Sequence, residues 1–412
     1  MVEHYQENLF ITGRAGTGKS TLLSLLRNST SKNAVVLAPT GIAALNVKGQ
    51  TIHSFFKFPP KMIDPSDITR RRNHYFYKKI QLLIIDEVSM VRADMMDTMD
   101  LFLRINRGVD KPFGGVQVVV FGDLFQLPPV VSSTFERKQL QVRYGSPYFF
   151  AADVFREMQL RMIELRVVYR QREKNFINLL DKIRTRTLDW EDLQELNERH
   201  SEDDSHDLAI TLCSTNASVS RINSERLKRL TSKAYQFQAK LSGAFENRAL
   251  PVDQYLLLKM DAQVMFVKND PDGKYVNGTL GRITRISQDS IHVKIKDRTE
   301  AYEIEVEPVE WEMMRYELDA QNPEKFKTTI IGKYIQYPLK LAWAMTIHKS
   351  QGKTFDDIVV DLGKGAFDHG QTYVALSRCR TLEGITLKKP LKPSDIKVDP
   401  IIIEYYDTQS RF

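Results

Sequence analysis

Residues 9 to 21, LFITGRAGTGKST, carry the clearest chemical signal in the sequence. The pattern G-x-x-x-x-G-K-[ST] falls on Gly13, Gly18, Lys19 and Ser20. Glycines let backbone N–H groups converge on a polyphosphate, the lysine reaches its β and γ oxygens, and the serine hydroxyl ligates Mg²⁺. A glycine-rich turn without a ligand is the plainer alternative, but it leaves Lys19 unexplained. The stretch therefore predicts a phosphate-binding (Walker A) loop.

Two adjacent carboxylates end the apolar run LLIIDE. Asp86 would hold Mg²⁺, directly or through water, and Glu87 would orient and deprotonate an attacking water. Neighbouring carboxylates repel each other, and a bound metal relieves that repulsion. A surface pair at a strand end needs no such account, but the phosphate loop upstream favours the catalytic interpretation.

Three further polar residues are candidates for contact with a bound triphosphate. Gln126 follows a strand in GDLFQLPPV and is placed to sense the γ-phosphate, although a turn-capping glutamine is the alternative. Arg170 in ELRVVYRQ is either an arginine finger or the partner of an acid, and spacing alone does not decide. Arg378 in TYVALSRCR lies on a predicted helix, from which its charge could reach the same phosphates.

Two stretches combine hydrogen-bond donors in the way a single-stranded nucleic acid requires. They are APTGIAALNVKGQTIHSFFKF, which also offers aromatic faces, and TIHKSQG. Core packing of the phenylalanines Phe55, Phe56 and Phe58 is the alternative to base stacking. The candidate nucleic-acid contacts are Thr40, Gly41, Thr51, His53, Phe55, Thr346, His348, Lys349 and Ser350.

The elements that position these residues are short apolar runs alternating with helical stretches. From residue 7 to about 170 the runs are ENLFITG, NAVVLAPT, QLLIIDE, GVQVVVFGD and RMIELRVVY. Near-continuous β-branched runs indicate strands buried on both faces, and a parallel sheet places ligands at the carboxyl ends of its strands. Residues 59–79, with RRR at 70–72 and YFY at 75–77, are typical of an excursion from that sheet.

A second α/β unit begins near residue 207 with LAITLCST. From about 253 to 335 apolar and polar residues alternate, with Asp272-Gly273 and Asn277-Gly278 as turn signals. This pattern predicts a small antiparallel barrel or sandwich inserted in the second unit. The chain then returns to an α/β pattern.

Composition narrows the class of protein. The chain has 412 residues with a net charge of +7, which mildly favours polyanionic partners. Two cysteines, Cys213 and Cys379, exclude a disulfide framework and a four-cysteine zinc site. The longest apolar runs are well short of the roughly 20 residues that span a bilayer. We therefore expect no membrane partner, no signal peptide and a cytoplasmic protein, nucleoid-associated if it is bacterial.

Taken in order, these motifs resemble the superfamily-1B DNA helicases of the petite-integration-frequency (PIF) group. The resemblance covers nearly the whole chain through GRAGTGKST, APTGIAALNVKGQTIHSFF, IIDEVSM, FGDLFQLPPV, YRQ, TIHKSQGKTFD and TYVALSRCRTLEGI. RecD-like helicases share the phosphate loop and the GD-x-x-QLP pattern. The sequences TIHSFF and YVALSRCRTLEG favour the PIF group.

The resemblance implies an α/β fold of two RecA-like P-loop lobes with two insertions. Residues 1–172 would form the first lobe, with a short wedge near 59–79. Residues 173–252 and 336–412 would form the second lobe, and 253–335 an SH3-like β-barrel insertion. ATP and Mg²⁺ would bind between the lobes. The partners would be single-stranded DNA and its junctions with duplex, and the protein would be a monomer in solution.

The resemblance also assigns roles to residues. The catalytic set would be Lys19, Glu87, Gln126, Arg170 and Arg378, with Ser20 and Asp86 holding the metal. The nucleotide-binding set would be Gly13, Ala15, Gly16, Thr17, Gly18, Lys19, Ser20, Thr21 and Gly352. ATP hydrolysis would ratchet the DNA strand 5′ to 3′ and unwind duplex or structured DNA in repair, recombination or replication.

Two positions depart from the pattern of the group. Only twelve residues precede Gly13, which is too few for the usual adenine-recognising glutamine motif, so that motif is expected to be missing or trimmed. The group's signature helix carries glycine two positions after its arginine, whereas Arg186 follows Arg184 here. The alternatives to a PIF-type helicase are a RecD-like helicase and a DNA-stimulated ATPase that clamps or remodels DNA without unwinding it.

Overall fold

The computed structural model describes residues 1–59, 61–131, 133–202, 208–245, 250–296, 301–319, 321–322 and 324–409. The chain divides into two compact units. Unit 1 contains Met1–Tyr169, Glu312–Gly332 and the C-terminal helix, and unit 2 contains Arg170–Trp311 and Lys333–Asp399. Within the described ranges, every helix is too short or too polar to cross a membrane.

Unit 1 is built on a six-stranded parallel sheet of order β3-β2-β4-β5-β1-β6. Its strands are almost entirely apolar in the middle of the sheet and are buried there, which confirms the predicted parallel α/β architecture. The elements in chain order are β1 Leu9–Gly13, α1 Lys19–Ser29, β2 Ala34–Ala38, α2 Gly41–Asn46, β3 Gln50–Thr51, α3 Ile52–Phe56, α4 His74–Lys78, β4 Leu82–Ile85, α5 Ala93–Arg107, β5 Gln117–Phe121, α6 Thr134–Tyr144, α7 Val154–Glu157 and β6 Arg161–Leu165.

The excursion at 59–79 has a buried base and an exposed tip. Phe76 and Tyr77 on α4 are buried, and both rings contact the Phe55 ring at centroid distances of 5.9 and 6.0 Å. Tyr75 is 64% exposed, and Arg70 and Arg72 are also exposed. Of the YFY triplet, therefore, only the first tyrosine is free to meet another molecule.

Unit 2 contains a four-stranded parallel sheet of order β18-β7-β19-β20. The elements that follow β6 in the chain, including the antiparallel strands, are α8 Lys174–Thr185, α9 Trp190–Asn197, β7 Ile210–Cys213, α10 Asn216–Arg229, β8 Ala234–Gln238, β9 Lys240–Gly243, β10 Tyr255–Lys259, β11 Gln263–Phe266, β12 Leu280–Ile286, β13 Ile291–Lys296, β14 Ala301–Val306, β15 Val309–Leu318, β16 Phe326–Gln336, β17 Leu339–Leu341, β18 Ala344–Thr346, α11 Ile347–Ser350, β19 Ile358–Asp361, α12 Gln371–Leu376, β20 Ile385–Leu387 and α13 Pro400–Gln409.

Antiparallel pairing fills the stretch expected to be an insertion. One sheet has the order β14-β13-β12-β11-β17, a second has the order β15-β16-β9, and β10 pairs with β8. The antiparallel strands begin at Ala234 and end at Leu341, and thus extend past the expected limits 253 and 335 on both sides. Antiparallel strands therefore occupy the stretch in which apolar and polar residues alternate, and they also extend beyond it on both sides.

Two distant segments return to unit 1. In the hairpin of β15 and β16, the Tyr316 hydroxyl accepts a hydrogen bond from Val36 N at 3.1 Å, and the Phe326 ring stacks on Phe76 at 4.8 Å. On α13, the hydroxyls of Tyr406 and Thr12 share a 2.6 Å hydrogen bond. The sequence analysis assigns the hairpin to the insertion and α13 to the second lobe, because a local pattern does not reveal such long-range contacts.

The departure in the signature helix has a simple conformational explanation. Arg186 is the C-cap of α8 and adopts φ +57°, ψ +38°, the left-handed conformation that glycine adopts most readily. Arg184 is 5% exposed on the last turn of the same helix. The backbone geometry that glycine usually supplies is thus present here, although an arginine supplies it.

Candidate nucleotide and nucleic-acid sites

The phosphate loop joins β1 to α1 in unit 1. Gly13 has φ +148°, and a Cβ atom there would lie 2.5 Å from Leu165 O on the paired strand β6, so only glycine fits. Gly18 is the N-cap of α1 with φ +86°. The Lys19 Nζ donates to the carbonyls of Gly13 and Arg14 at 2.6 and 2.9 Å. The lysine is thereby held folded over the loop that it would share with a polyphosphate.

Inside the loop, the buried Thr17 hydroxyl donates to Arg14 O at 2.9 Å, which fixes the turn. Ala15 is also buried, whereas Ser20 and Thr21 are exposed in the first turn of α1. The hydroxyl predicted to ligate Mg²⁺ is therefore accessible to a metal. Helix N-termini of this kind stabilise bound phosphate through their free N–H groups.

The two carboxylates follow β4, which is adjacent to β2 and β5 in the sheet. Burial raises the pKa of Asp86 above its ordinary value, and the charge of Glu87 raises it further, while the Lys19 ammonium opposes both. Glu87 N donates to Asp86 Oδ1 at 3.0 Å, and Glu87 itself has φ +48°. A divalent cation would relieve the repulsion between the two groups, so the pair fits a metal-dependent role.

Mg²⁺ is commonly held by one or two protein carboxylates together with substrate phosphates and water. Within the described residues, no cluster of three or more His, Cys, Asp or Glu side chains could hold a metal. Ser20 and Asp86 are consistent with a metal that shares its coordination with a bound nucleotide. Such a metal would polarise the β and γ phosphates and neutralise the charge that develops on them.

Gln126 is positioned by a residue that the sequence reasoning missed. Asp123 is completely buried in the turn after β5, and its Oδ2 accepts from Gln126 Nε2 at 3.2 Å. Its Oδ1 accepts from Phe125 N at 3.2 Å. The glycine and aspartate of FGD, directly after a buried strand, were the available signal. Asp123 thus orders the turn that presents Gln126.

Both candidate arginines belong to unit 2, where they lie near each other. Arg170 Nη1 donates to Ser377 O at 3.0 Å, so its described partner is a carbonyl and not an acid. Burial lowers the pKa of Arg170 to about 9, with a further contribution from the charges of Arg378 and Arg380. Arg378 is 1% exposed, and its Nε donates to Val374 O at 2.9 Å. Two buried guanidinium groups near each other repel, and a bound anion would relieve that repulsion.

Gln171, which the sequence reasoning did not single out, ties this region together. Its Nε2 donates to Ser377 O at 3.2 Å and to Cys379 O at 2.7 Å, on both sides of Arg378. The YRQ stretch and the SRC stretch therefore form one hydrogen-bonded group within unit 2. Gly352, also predicted to contact nucleotide, is exposed with φ +79° and has open space around it.

The sequence Thr-Ile-His occurs once in each unit, at the carboxyl end of a parallel strand. Thr51 ends β3, and its hydroxyl accepts from Ser54 N at 3.1 Å as the N-cap of α3. Thr346 ends β18, and its hydroxyl accepts from Lys349 N at 3.3 Å as the N-cap of α11. We call these the first and second Thr-Ile-His elements. Thr40 likewise caps α2, which begins at Gly41, by accepting from Ala43 N at 3.3 Å.

Burial separates the predicted nucleic-acid contacts into two groups. Thr40 and Lys349 are exposed, and His53 and His348 are half-buried at the surface. Phe55 is 6% exposed among aromatic rings, and Ser350 is 0% exposed with its hydroxyl donated to Ile347 O at 2.7 Å. As the structure places them, Phe55 and Ser350 offer no surface to a DNA strand, because their neighbours already occupy it. Phe56 and Phe58 are buried as well, which agrees with the alternative that these phenylalanines pack in the core.

These features define the class of P-loop nucleotide-binding proteins, and comparison with known proteins narrows the class further. The family model for PIF1-like helicases matches residues 1–193. ATP-dependent DNA helicase Pif1 of Bdellovibrio bacteriovorus is 32% identical over 97% of this chain and 88% of that protein. ATP-dependent DNA helicase PIF1 of Xenopus laevis is 32% identical over 97% of this chain and 61% of its own length.

Solved structures agree with the sequence matches. Pif1 from Bacteroides sp in complex with ADP-AlF4 has 39% identity and a TM-score of 0.90 over 98% of this chain and 94% of that one. Bacteroides Pif1 bound to ssDNA has 39% identity and a TM-score of 0.70 over 98% and 93%. The chain belongs to the PIF1-like helicase family, which confirms the resemblance seen in its motifs. It spans about 60% of the length of the vertebrate relatives it matches, such as the 61% for Xenopus laevis.

Proposed function

We propose that this protein is an ATP-dependent DNA helicase that moves 5′ to 3′ along single-stranded DNA and unwinds duplex DNA. The observation that carries the proposal is the combination of one phosphate loop with two Thr-Ile-His elements, one at a strand end in each unit. A single ATP site with a strand contact in each of two units is the minimum that an ATP-driven translocase needs. Bacteroides Pif1, 39% identical, is described with ADP-AlF4 and with ssDNA in separate structures.

The ATP chemistry that we assign rests on residues of unit 1. Lys19 would exchange its two loop carbonyls for phosphate oxygens, since an ammonium interacts more strongly with phosphate than with a carbonyl. Asp86 and Ser20 would hold Mg²⁺. Glu87 would accept a proton from the attacking water, and Gln126, ordered by Asp123, would register the γ-phosphate.

Unit 2 would supply Arg170 and Arg378. The lowered pKa of Arg170 reflects a buried cation near other cations, and a phosphate would stabilise both guanidiniums. Arg378 is held by its own helix through Val374 O and the Ser377 hydroxyl, so it would exchange these bonds for phosphate oxygens when ATP binds. Such arginines contribute about 10³ to 10⁵ in rate where they act as fingers.

For DNA, we assign the contacts to the two Thr-Ile-His elements and to the N-terminus of α2. The hydroxyls of Thr51 and Thr346 are engaged as helix caps, so we expect them to orient the elements. The histidines and Lys349 would then meet the strand. Burial lowers the pKa of both His53 and His348, which favours the neutral ring, so we expect both histidines to act as hydrogen-bond partners of the strand.

The excursion at 59–79 is the part that we assign to strand separation. Its base is fixed by Phe76 and Tyr77 in the aromatic cluster, while Tyr75 and the exposed Arg70 and Arg72 form its tip. An exposed aromatic ring beside exposed cations can stack on a base and neutralise phosphates, and the buried rings at the base anchor this tip to unit 1. This feature favours a helicase over the second candidate, a DNA-stimulated ATPase that clamps DNA without unwinding it.

The remaining expectations are part of the same proposal. We expect a monomer in solution that binds single-stranded DNA and its junctions with duplex. We place it with the DNA of the cell, in the cytoplasm and at the nucleoid if the source is bacterial. Affinity for DNA should fall steeply with salt, because neutralisation of phosphates dominates it.

The decisive experiment compares duplexes that carry a 5′ or a 3′ single-stranded tail. Unwinding is measured with ATP and Mg²⁺ for the wild type and for Glu87→Gln, which keeps size and hydrogen bonding but removes the base. We expect only the 5′-tailed duplex to open, and we expect Glu87→Gln to lose about 100-fold or more of the hydrolysis rate while still binding ATP.

A second variant separates the two candidates. Tyr75→Ala combined with Arg70→Ala and Arg72→Ala should abolish unwinding but spare DNA-stimulated ATP hydrolysis. Phe76→Ala is not suitable as a tip variant, because Phe76 is buried in the base. ATP hydrolysis that responds to single strands, with neither tailed duplex opened by the wild type, would reject the helicase and leave the clamp.

A further inference from the structure

Three lysines of unit 2 lie at and beside the second Thr-Ile-His element. Lys349 is exposed on α11, Lys353 follows shortly after α11, and Lys340 is on β17. Lys340 and Lys353 are half-buried. Among the residues that the structure describes, none of the three lysines forms an ion pair with a carboxylate. We call these three residues the lysine row.

One turn of the insertion connects the two half-buried lysines. Lys340 on β17 pairs with a residue of β11, and the chain that leaves β11 turns back at Asn277 and Gly278. Gly278 N donates to the carbonyl of the last residue of β11 at 2.8 Å, which holds this turn against the strand. The Lys353 Nζ donates to Asn277 Oδ1 at 2.5 Å. Both lysines therefore lie beside the same part of the insertion.

The charges in the lysine row act on one another. Burial lowers the pKa of Lys353 to about 8, and the charge of Lys340 contributes to this lowering. Burial also lowers the pKa of Lys340, with Lys349 adding to the effect and the carboxylate of Asp253 opposing it. Half-buried cations that repel each other are stabilised by a bound anion.

The acids of the loop that carries Asn277 are engaged with Lys274. The Asp270 carboxylate accepts from Lys274 N at 3.0 Å, and Asp272 lies 3.4 Å from the Lys274 ammonium. The described partner of the Lys353 ammonium is thus the neutral amide oxygen of Asn277. An ammonium forms a stronger hydrogen bond with a charged oxygen than with a neutral one. An anionic oxygen would therefore displace Asn277 from Lys353.

The position of the row identifies the anion. Lys349, to which the proposed function already assigns a contact with the strand, is four positions from Lys353 in the stretch TIHKSQGK. A nucleic-acid strand carries a phosphate at every nucleotide, so it can neutralise several cations along one line, whereas a small anion neutralises one. The row is therefore a continuation of the DNA contact at the second Thr-Ile-His element.

We propose that Lys340 and Lys353 bind phosphates of the single strand next to the one held by Lys349, and that they extend the DNA site of unit 2 to the insertion. On binding, Lys353 exchanges the Asn277 oxygen for a phosphate oxygen. This inference rests on the proposed function, because it requires that the second Thr-Ile-His element contacts DNA.

The test measures binding of a fluorescein-labelled oligothymidine to the whole chain by fluorescence anisotropy at increasing salt. We expect Lys353→Gln to bind about tenfold more weakly than the wild type, because a charge-assisted hydrogen bond is lost. The dependence of its log affinity on log salt should fall by about 0.7. Lys240→Gln is the matched control, because it makes the same charge change at an exposed lysine on β9 of unit 2. Its affinity and salt dependence should remain those of the wild type.

Asn277→Ala distinguishes a DNA contact from a structural bond. This variant removes the described partner of Lys353 and leaves the lysine in place. If Lys353 binds phosphate, Asn277→Ala should bind the oligothymidine at least as tightly as the wild type. If Lys353 only anchors the turn, Asn277→Ala and Lys353→Gln should weaken binding equally. Circular dichroism checks that both variants fold.

The pH dependence of binding gives a second readout. The pKa of Lys353 is lowered to about 8 in the free protein, so above that pH the lysine must take up a proton before it can hold a phosphate. We expect the affinity of the wild type to fall as the pH rises from 7 to 9.5. The affinity of Lys353→Arg should fall less, because a guanidinium stays charged throughout this range.

Three results would overturn the proposal. The first is an affinity and a salt dependence of Lys353→Gln equal to those of the wild type, and the second is equal weakening by Asn277→Ala and Lys353→Gln. The third is binding of polyglutamate that depends on Lys353 when oligothymidine binding does not, which would assign the row to an acidic protein segment. A wild type that does not bind oligothymidine would instead reject the proposed function, so the two failures are distinguishable.

Discussion

The two Thr-Ile-His elements share one backbone design and differ in their electrostatic surroundings. Thr51 has φ −73°, ψ 149° and Thr346 has φ −76°, ψ 148°, and each caps a helix whose first residue is a buried isoleucine. The histidine of the first element faces the positive charge of Arg92, whereas that of the second faces the negative charge of Asp368. Identical local sequence thus fixes the geometry, and the surrounding fold decides the charge.

The residue after each histidine sharpens the difference. Ser54 follows His53 and is half-buried, while Lys349 follows His348 and is exposed. The second element can therefore neutralise a phosphate through its own sequence, and the first cannot. We infer that the two elements would contact a DNA strand with the same backbone geometry but with unequal positive charge. A difference in DNA affinity between two contacts would help a translocating protein, because the weaker contact can release the strand while the stronger one holds it.

The largest expected effect comes from removing both helix caps. Thr51→Val and Thr346→Val keep the side-chain shape but lose the oxygen that accepts the helix N–H. Each loss should cost about 1 kcal/mol of local order, or about fivefold in affinity for single-stranded DNA. The double variant should lose about 25-fold, since the two sites are independent. Fluorescence anisotropy with a labelled oligonucleotide measures this.

Thr51→Ser and Thr346→Ser are the controls for the cap variants, because serine retains the hydroxyl and should retain most of the affinity. If the valine variants bind DNA as tightly as the wild type, the caps do not order the DNA contacts. If only one of them weakens binding, the equivalence of the two elements fails.

An exchange of charge between the elements should have an intermediate effect. Lys349→Ser removes one phosphate contact and should lower the dependence of log affinity on log salt by about 0.7 for a single strand. Ser54→Lys should raise it by a similar amount if the first element lies equally near the strand. A salt titration of oligonucleotide binding gives both slopes. Unchanged slopes in both variants would remove the elements from the DNA path.

The smallest effect concerns the pH dependence of stability. Burial lowers the pKa of His53 and of His348, so the unfolded chain binds protons at these positions more readily than the folded chain. Stability is therefore fully present above about pH 6.5, the ordinary histidine pKa, and is lost as the pH falls through the lowered folded value. Thermal unfolding between pH 5 and pH 8 measures this loss.

His53→Gln and His348→Gln should each flatten that pH profile, because burial lowers both pKa values, with Arg92 adding to the lowering at His53 and Asp368 opposing it at His348. Arg92→Gln in an otherwise wild-type chain should move the profile towards that of His53→Gln. An Arg92→Gln profile identical to that of the wild type would show that burial alone, and not the charge of Arg92, lowers the pKa of His53.

The residues of the phosphate loop and of the strand ends were predictable because each is encoded within a few positions. Gly13, Lys19 and Asp86 belong to local patterns whose chemistry dictates residue type. The structure places Gly13 at the end of β1 and Asp86 directly after β4, with β5 between these two strands of the same parallel sheet. The parallel sheet was predictable for the same reason. Strands buried on both faces have a composition that does not depend on distant partners.

Properties that depend on distant partners were not predictable. Phe55 resembles a stacking platform in sequence, but Tyr316, far along the chain, packs against it with ring centroids 6.2 Å apart. Ser350 is polar, yet its helix turn buries it and satisfies it internally. The role of Asp123 becomes evident only once its two amide partners are seen. A local sequence pattern cannot state which of several polar residues will face solvent.

The return of α13 to unit 1 has a consequence for the order of events during biosynthesis. The Thr12 hydroxyl, on the strand that leads into the phosphate loop, is paired with a tyrosine hydroxyl 394 positions later. At about 5 to 20 residues per second, a ribosome needs roughly 20 to 80 s to make that stretch. Throughout this interval the sheet of unit 1 lacks its last helix, and a nascent chain must wait with that face uncovered. Completion of the nucleotide-binding unit therefore comes long after its defining motif has been synthesised.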